Sequence, residues 1–253
     1  DFKKYNLTYF SLTDIRKFSK KINFVKINSN STFLSFFIIK KIITRDKSNK
    51  KIFFSMQYFV NVCALLFLRK IKKLKIFIYE VNHPIELDYS FNFSEFLKKK
   101  IIKFLFKKIY HKADLITANC KELSKDISLM VKKKVETIYN PCFFKITPPS
   151  IIKKITKKIS VLNISRFEYQ KDHLTLLKAI KNSKIKNKIQ LNLVGYGSQE
   201  LIIKNYANKN NINCKIYKNK TQLSSFYQSN DLFVLTSIYE GLPTVMVEAA
   251  SYC

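Results

Sequence analysis

The chain has 253 residues, of which 47% are apolar and 25% charged. This length and composition exclude a disordered chain and allow one large α/β domain or two smaller ones, each with its own core. The formal net charge of +30 has two interpretations: a basic face for nucleic acid or an anionic membrane, or the Lys- and Asn-rich usage that AT-rich codons produce. Because the charge is spread along the whole chain, it does not by itself indicate nucleic acid.

Apolar, strand-like runs alternate with helical segments in the first half of the chain. We predict strands at 5–12, 22–28, 51–56, 75–82, 114–119 and 135–139, and helices at 31–46, 58–73, 91–112 and 121–133. The apolar run 52–68 is short and polar-interrupted for a membrane span, so we assign it to a buried strand followed by a helix. Five separated cysteines without C-x-x-C spacing favour a reduced, cytosolic protein.

The same alternation continues in the second half. We predict strands at 158–165, 189–195, 213–217 and 231–236, and helices at 172–183, 198–210, 222–229 and 243–253. Three of the five prolines lie within 140–150, where the periodicity lapses. The pattern therefore predicts an α/β protein of two Rossmann-like lobes, 1–147 and 148–253, built on parallel sheets with flanking helices. The ligand is expected in a cleft between the lobes, at the carboxyl ends of the strands.

A strand-to-helix turn in the second lobe carries the strongest candidate site. Glu240 follows a hydrophobic strand, and Glu248 lies inside the next helix. Free N–H groups at the start of that helix would suit a phosphate or a polarised sugar, and each carboxylate would suit a sugar hydroxyl or ribose diol. The turn between the glutamates contains Gly241, Leu242, Pro243 and Thr244. The alternative is an ordinary turn with two surface glutamates.

Two further loops follow strands in the same lobe. Arg166 and Lys171 would suit a diphosphate, the arginine as a fork and the lysine as a point charge, although two cations in a Lys-rich chain can also be chance. Gly195 and Gly197 would either admit a nucleotide close to the backbone or simply make a turn. The sequence has no D-x-D and no P-loop motif, so these cations and the helix N-terminus would have to hold the diphosphate charge without a metal.

Taken in order, these motifs resemble the retaining glycosyltransferases of family 4, which have the GT-B fold. The E-x7-E pattern of that family corresponds to Glu240 and Glu248, and its G-R-x-x-x-x-K corresponds to Ser165, Arg166 and Lys171. The runs 113–123 and 138–141 resemble the end of the family's first lobe. The sequence departs from the family where the first strand with its Gly-rich loop and the C-terminal part of the second lobe are expected to be missing.

The resemblance implies roles for these residues. Arg166 and Lys171 would neutralise the diphosphate, Glu240 would contact the donor sugar, and Glu248 would bind the ribose. The remaining donor-binding residues would be Gly195, Gly197, Gly241, Leu242, Pro243 and Thr244. The implied donor is a nucleotide-diphosphate sugar, with a UDP-sugar favoured, and neither a metal nor a separate cofactor is expected. A hexosyl or N-acetylhexosaminyl group would pass with retention to a glycan or lipid-linked acceptor in cell-surface polysaccharide or lipopolysaccharide synthesis.

The acceptor side would lie in the first lobe. His83 would stand near the reacting hydroxyl or its phosphate, with Glu80 and Asn82 nearby, although a lone loop histidine is more often merely exposed. The helix at 91–112 is both apolar and basic, so it would either rest on anionic lipid at the inner face of the cytoplasmic membrane or pack in the core with a solvated lysine face. Two other functions stay open: a basic nucleic-acid- or membrane-binding module without catalysis, and an inactive truncated fragment.

Overall fold

The computed structural model describes residues 6–12, 22–141 and 158–252. Contacts divide the chain into two compact units, Asp1–Ile138 and Tyr139–Cys253, and each unit is described by itself. The predicted boundary between the lobes at residue 148 lies outside the described residues, so the exact limits of the lobes stay a prediction.

The described residues of the first unit form six strands, all paired in parallel. Strands β1 and β2 form a separate two-stranded sheet, and the other four form a sheet in the order β3-β4-β5-β6. The strands are β1 (Leu7–Ser11), β2 (Ile22–Lys26), β3 (Lys51–Met56), β4 (Leu74–Glu80), β5 (Leu115–Ala118) and β6 (Glu136–Thr137). The helices are α1 (Thr32–Arg45), α2 (Tyr58–Phe67), α3 (Phe93–Ile109) and α4 (Lys121–Val131). Every predicted strand and helix of this half is confirmed.

Helix α2 is shorter than predicted. It ends at Phe67, and the chain then turns through residues 69–73, where Lys73 adopts a left-handed conformation with φ of 60°. Leu68 is still buried, but Arg69, Lys70, Lys72 and Lys73 are exposed, so a further helical turn would have little apolar surface to bury. Cys63 and Ala64 of this helix are buried in the core. Over the described residues, no helix is both long and apolar enough to cross a membrane.

The second unit is a four-stranded parallel sheet with helices on both faces. The strands are ordered β10-β7-β8-β9. They are β7 (Ile159–Ile164), β8 (Ile189–Val194), β9 (Cys214–Tyr217) and β10 (Leu232–Phe233), and the helices are α5 (His173–Asn182), α6 (Glu200–Lys209), α7 (Ser224–Ser229) and α8 (Thr244–Ala250). Successive residues of a strand point to opposite faces, so Val161 packs with α5 and α6 in one core while Leu162 packs with α7 and α8 in another. The predicted α/β fold with parallel sheets is confirmed.

Two elements of the second unit differ from their predicted limits. Strand β10 covers two residues rather than 231–236, because after the Val234 N–H donates to the Leu162 carbonyl (2.9 Å) the following residues bond to the 165–172 loop instead of to a strand. Helix α8 begins at Thr244, so Pro243 is the N-cap and does not lie in the first turn as predicted. The helix ends at Ala250, and Cys253 lies outside the described residues.

Candidate functional site

The candidate site lies along the carboxyl edge of the second-unit sheet. In parallel strands the carboxyl ends meet at one edge, with about 4.8 Å between neighbouring strands. The order β10-β7-β8-β9 therefore brings together the segments that follow these strands: 236–243, 165–172, 195–199 and 218–222. The first two, which carry the predicted glutamate and cation motifs, are neighbours.

Hydrogen bonds fasten these two segments to each other. The Ile238 N–H donates to the Gln170 carbonyl (2.8 Å), and the Gln170 side-chain amide donates to the Tyr239 carbonyl (2.9 Å). The Thr236 hydroxyl donates to the Asp172 carbonyl (2.9 Å). Because backbone groups carry most of these bonds, the two segments hold a fixed register.

This register joins two of the predicted catalytic residues. The Lys171 ammonium forms an ion pair and hydrogen bond with the Glu240 carboxylate. Only 15% of the Lys171 side chain and 20% of the Glu240 side chain are exposed, so the pair is more strongly coupled than a typical surface pair. Residues that are 69 positions apart in the sequence thus form one charged unit.

Arg166 occupies the same loop but keeps its charge toward solvent. Its side chain is exposed, and among the described residues no carboxylate lies within ion-pair distance of it. The nearby Glu168 carboxylate accepts hydrogen bonds from the Ser198 hydroxyl (2.7 Å) and N–H (3.2 Å), and these bonds, with the Arg166 charge, lower its pKa. The guanidinium is therefore available to an anion. In the described part of the chain, no group of three or more His, Cys, Asp or Glu side chains is arranged to hold a metal ion.

The start of α8 offers backbone donors beside this pair. Within the described residues, the N–H groups of Gly241, Leu242, Thr244 and Val245 donate no hydrogen bond, while the Met246 N–H donates to the Pro243 carbonyl (3.1 Å). Leu242 and Thr244 thus have free N–H groups within the described residues, while Pro243 contributes none, and the role of these residues in donor binding stays a prediction. Such groups suit a polarised oxygen of a ligand.

Glu248 lies within α8, four residues after its first residue, and contacts a tyrosine. Its side chain is half-buried on α8, and its Oε2 atom accepts a hydrogen bond from the Tyr227 hydroxyl at 2.9 Å. Tyr227 belongs to α7, which the sequence analysis did not connect with the site. No motif marks it, because the contact depends on how α7 and α8 pack on the same face of the sheet.

Gly195 and Gly197 have a structural explanation that needs no ligand. Their φ angles are 154° and 158°, and a Cβ atom on Gly195 would lie 1.9 Å from the Ser165 carbonyl oxygen. On Gly197 it would lie 2.5 Å from the Phe167 carbonyl oxygen. The glycines thus allow the 165–168 segment to pass close to the 195–198 segment. Their predicted role in donor binding stays a prediction.

Ser165 stands where the resembled family has glycine. Its hydroxyl donates to Asn163 Oδ1 (2.7 Å), so it accepts from Nε2 of His173 (3.0 Å). Burial lowers the pKa of His173 to about 4, and its imidazole is therefore neutral near pH 7. The Ser165 hydroxyl thus bonds to two buried side chains, which explains how this loop accommodates serine in place of glycine.

An open pocket of about 420 Å³ lies beyond β9 and was missed by the sequence analysis. Its lining residues are Tyr217, Asn219, Lys220, Thr221, Gln222, Ser225 and Phe226. The Gly195 N–H donates to the Tyr217 carbonyl (2.9 Å), so the pocket adjoins the glycine segment. The polar run after the strand was its only sequence signal, and Asn219 adopts a left-handed conformation there with φ of 51°.

In the first unit, the structure corrects the prediction for Glu80. Its side chain is 1% exposed, and its Oε1 atom accepts hydrogen bonds from the Asn61 amide (2.7 Å) and the Tyr110 hydroxyl (2.6 Å). Burial is the main cause that raises its pKa to about 8. The carboxyl group is therefore a polar element of the core and has no surface on which to contact an acceptor.

His83 and Asn82 lie at the end of the same strand, but their side chains already have partners. Nδ1 of His83 accepts from the Ile85 N–H (3.2 Å), so Nε2 carries the proton and donates to the Asp126 carboxylate (3.2 Å). The Asn82 amide donates to Glu86 (2.8 Å). His83 caps the short 3₁₀ helix Pro84–Asp88, so an acceptor contact with either ring nitrogen would have to displace one of these bonds.

Parts of the chain are similar to known glycosyltransferases. Residues 148–253 match the family model of Glycosyl transferases group 1. An uncharacterised glycosyltransferase of Methanocaldococcus jannaschii, MJ1059, is 28% identical over 211 residues, which are 76% of this chain and 50% of the relative. The amylovoran biosynthesis glycosyltransferase AmsD of Erwinia amylovora is 33% identical over 98 residues, which are 38% of this chain and 28% of the relative. The chain thus spans half or less of these curated relatives.

Solved structures share the fold. TarM of S. aureus, crystallised with fondaparinux, α-GlcNAc-glycerol and UDP, has a TM-score of 0.62 at 20% identity, covering 85% of this chain and 42% of TarM. Anabaena HepE, in complex with UDP and glucose, has a TM-score of 0.63 at 15% identity, covering 91% of this chain and 65% of HepE. Residues 148–253 thus match a glycosyltransferase family model, and the solved neighbours show the GT-B fold.

Proposed function

We propose that the protein is a retaining glycosyltransferase that transfers a hexosyl or N-acetylhexosaminyl group from a UDP-sugar without a metal ion. One observation carries this proposal. At the carboxyl edge of a parallel sheet, one loop carries both Lys171, which is paired with Glu240, and Arg166, whose guanidinium has no ion-pair partner among the described residues. The two cations, Lys171 and Arg166, suit the negative charge of a diphosphate. The Glu240 carboxylate suits the hydroxyl groups of a sugar.

The diphosphate is proposed to lie between the two cations and the start of α8. Arg166 would hold one phosphate as a fork, while Lys171 would turn partly away from Glu240 to contact the other. The free N–H groups of residues 241–245 add partial positive charge. These groups would stabilise the negative charge that develops on the departing diphosphate, which is the largest single demand of the reaction. The proposal of metal independence rests on this set of donors.

Glu240 is proposed to hold the donor sugar and Glu248 the ribose. A carboxylate accepts several hydrogen bonds at once, so a sugar diol is a natural partner for each. The base would then occupy the pocket beyond β9, which adjoins the glycine segment. TarM and HepE were crystallised with UDP, and this supports the choice of a UDP-sugar. Retention of configuration rests on the resemblance of the E-x7-E and R-x-x-x-x-K motifs.

The acceptor is proposed to be a glycan or lipid-linked glycan at the inner face of an anionic membrane, in polysaccharide or lipopolysaccharide synthesis. Ile102 and Phe106 of α3 are buried, yet its opposite side exposes an apolar stripe: Phe93 by 79%, Leu97 by 51%, Ile101 by 52% and Phe104 by 61%. The Lys100 and Lys108 ammonium groups lie 5.2 Å and 5.9 Å from neighbouring phenylalanine rings. Apolar and cationic groups on one face suit anionic lipid. The name of AmsD, an amylovoran biosynthesis enzyme, supports a polysaccharide product.

The experiment that tests the function is a binding screen of UDP, GDP, ADP and CMP by calorimetry, with EDTA or Mg²⁺ and at two ionic strengths. We expect micromolar binding of UDP that is unchanged by EDTA. Arg166→Ala should weaken it about tenfold or more, since it removes a charge-assisted bond. Lys178→Ala, which changes an exposed lysine on α5 of the same unit, should not.

The outcomes separate the alternatives. Micromolar UDP binding followed by sugar release from a UDP-sugar supports the enzyme. Strong, salt-dependent binding to nucleic acid or vesicles without nucleotide binding supports a basic module. No binding of any nucleotide diphosphate overturns the proposal and leaves an inactive fragment.

A further inference from the structure

The ring of Tyr227 packs in the core, while its hydroxyl bonds to the half-buried Glu248. Its side chain on α7 is 7% exposed and packs with Leu162, Val194 and Ala249. Its ring stacks on Tyr252, with centroids 5.2 Å apart and planes 15° apart. A phenylalanine would make the same ring contacts, so packing alone does not account for the hydroxyl.

The Tyr227 hydroxyl is directed at the Glu248 carboxylate. It donates to Oε2 at 2.9 Å, and its other acceptor, the Val245 carbonyl, is more distant at 3.4 Å. Burial and the neighbouring carboxylate raise the pKa of Tyr227 far above its usual value, so the phenol remains a donor. Among the described residues, Oε1 of Glu248 accepts no hydrogen bond.

We infer that Tyr227 is a positioning residue that orients Glu248 for the vicinal diol of the donor ribose. The inference rests on the proposed function, in which Glu248 binds that ribose. A glutamate has three rotatable side-chain bonds, and ordering them costs free energy on binding. By holding Oε2, Tyr227 fixes the plane of the carboxylate before the nucleotide arrives and leaves Oε1 free for the diol. Preorganisation of this kind raises affinity without adding a contact to the ligand.

The test compares the dissociation constants of UDP and 2′,3′-dideoxy-UDP for the full chain and for Tyr227→Phe. The wild type should prefer UDP by about tenfold, because the half-buried Glu248 carboxylate loses its partners when the diol is absent. Tyr227→Phe should reduce this preference at least about threefold, while the affinity for the dideoxy nucleotide stays unchanged. In a Glu248→Ala background, Tyr227→Phe should have no further effect on the preference, because the group that it orients is gone.

Tyr110→Phe is the matched control. Tyr110 is also buried and donates to a carboxyl group, that of Glu80, but it belongs to the first unit. Its loss should lower thermal stability and leave the ratio of the two dissociation constants unchanged. If Tyr227→Phe does not fold, Glu248→Asp, which keeps the charge but withdraws the carboxylate from the phenol, must lose the preference.

The failures of the inference and of the proposed function differ. If the wild type binds UDP and prefers it over the dideoxy nucleotide, but Tyr227→Phe or Glu248→Asp keeps the full preference, the inference is wrong and the function stands. Equal weakening of both nucleotides by Tyr227→Phe indicates a merely structural role and also overturns it. A wild type that binds neither nucleotide overturns the proposed function and the inference together.

Discussion

Glu240→Gln separates two proposed effects of the Glu240 carboxylate: it competes with the diphosphate for Lys171, and it holds the donor sugar. With side chains 15% and 20% exposed, the pair lies between exposed pairs, worth about 0.2–1 kcal/mol, and buried ones, whose disruption costs about 3–5 kcal/mol. We take about 1–3 kcal/mol, part of which must be given up when Lys171 turns toward a diphosphate. Glutamine keeps the shape of the side chain and a neutral hydrogen-bond acceptor. The free energy that Lys171 loses when it turns toward the diphosphate should therefore fall by about 1 kcal/mol.

Binding and transfer should therefore change in opposite directions. UDP should bind about fivefold more tightly to Glu240→Gln, since 1.4 kcal/mol corresponds to a factor of ten. Release of sugar from a UDP-sugar should fall by about 100-fold or more, because the carboxylate that would hold the sugar in the transition state is lost. Calorimetry measures the first effect and a coupled UDP-release assay measures the second.

A control variant separates the local effect from the change in net charge. Glu136→Gln removes a 51%-exposed carboxylate in the first unit and changes the net charge equally, so it should leave both measurements unchanged. The reasoning is refuted if Glu240→Gln binds UDP more weakly than the wild type. That result would mean that the carboxylate holds Lys171 in the binding geometry and does not compete for it.

Three further predictions concern other parts of the chain. Gly195→Ala should destabilise the fold by about 2–4 kcal/mol in urea denaturation, because its Cβ would lie 1.9 Å from the Ser165 carbonyl oxygen; unchanged stability would contradict the described backbone. Because burial raises the pKa of Glu80 from 4.5 to about 8, the native state keeps a proton that the unfolded chain has lost. The free energy of unfolding of the wild type should therefore fall as the pH rises from 4.5 to about 8, by up to about 1.4 kcal/mol per pH unit. Glu80→Gln should remove that slope, and parallel plots of stability against pH for the two proteins would refute this. Phe93→Ser with Phe104→Ser should reduce flotation with anionic vesicles about tenfold, whereas Phe54→Ser, which alters a phenylalanine of the same unit with 58% exposure, should not. Equal losses would refute a specific α3 face.

The order of the elements could be predicted because parallel strands and their crossover helices alternate in hydrophobic period. Which loops meet could not be read from that order alone. Lys171 and Glu240 come together because β10 pairs with β7, and these two strands are about 70 residues apart in the sequence. Their positions after strands and their resemblance to one family predicted a common site, but neither showed which side chains would be in contact.

For Glu80, the alternation of buried residues along the strand gave the correct indication, but its position at the strand end was given more weight. Along β4, Ile76, Ile78 and Glu80 share one face of the strand, and all three are buried. Alternation alone therefore indicated an inward carboxyl group, whereas its position at a strand end suggested a site residue. Its partners Asn61 and Tyr110 lie 19 and 30 residues away, so nothing local showed that the core could satisfy it.

Two of the few glycines in the chain have a steric explanation in the structure. The chain contains only three glycines, and for two of them the structure gives a steric reason, because a Cβ atom would meet the backbone of residues 165–167. That backbone leads directly into Arg166 and, through the Gln170 bonds, to the Glu240 segment. Gly195 and Gly197 therefore serve the site by letting the cation loop approach the sheet edge, whether or not a nucleotide also approaches them. A glycine near a ligand site can thus be required by the protein chain that forms the site rather than by the ligand.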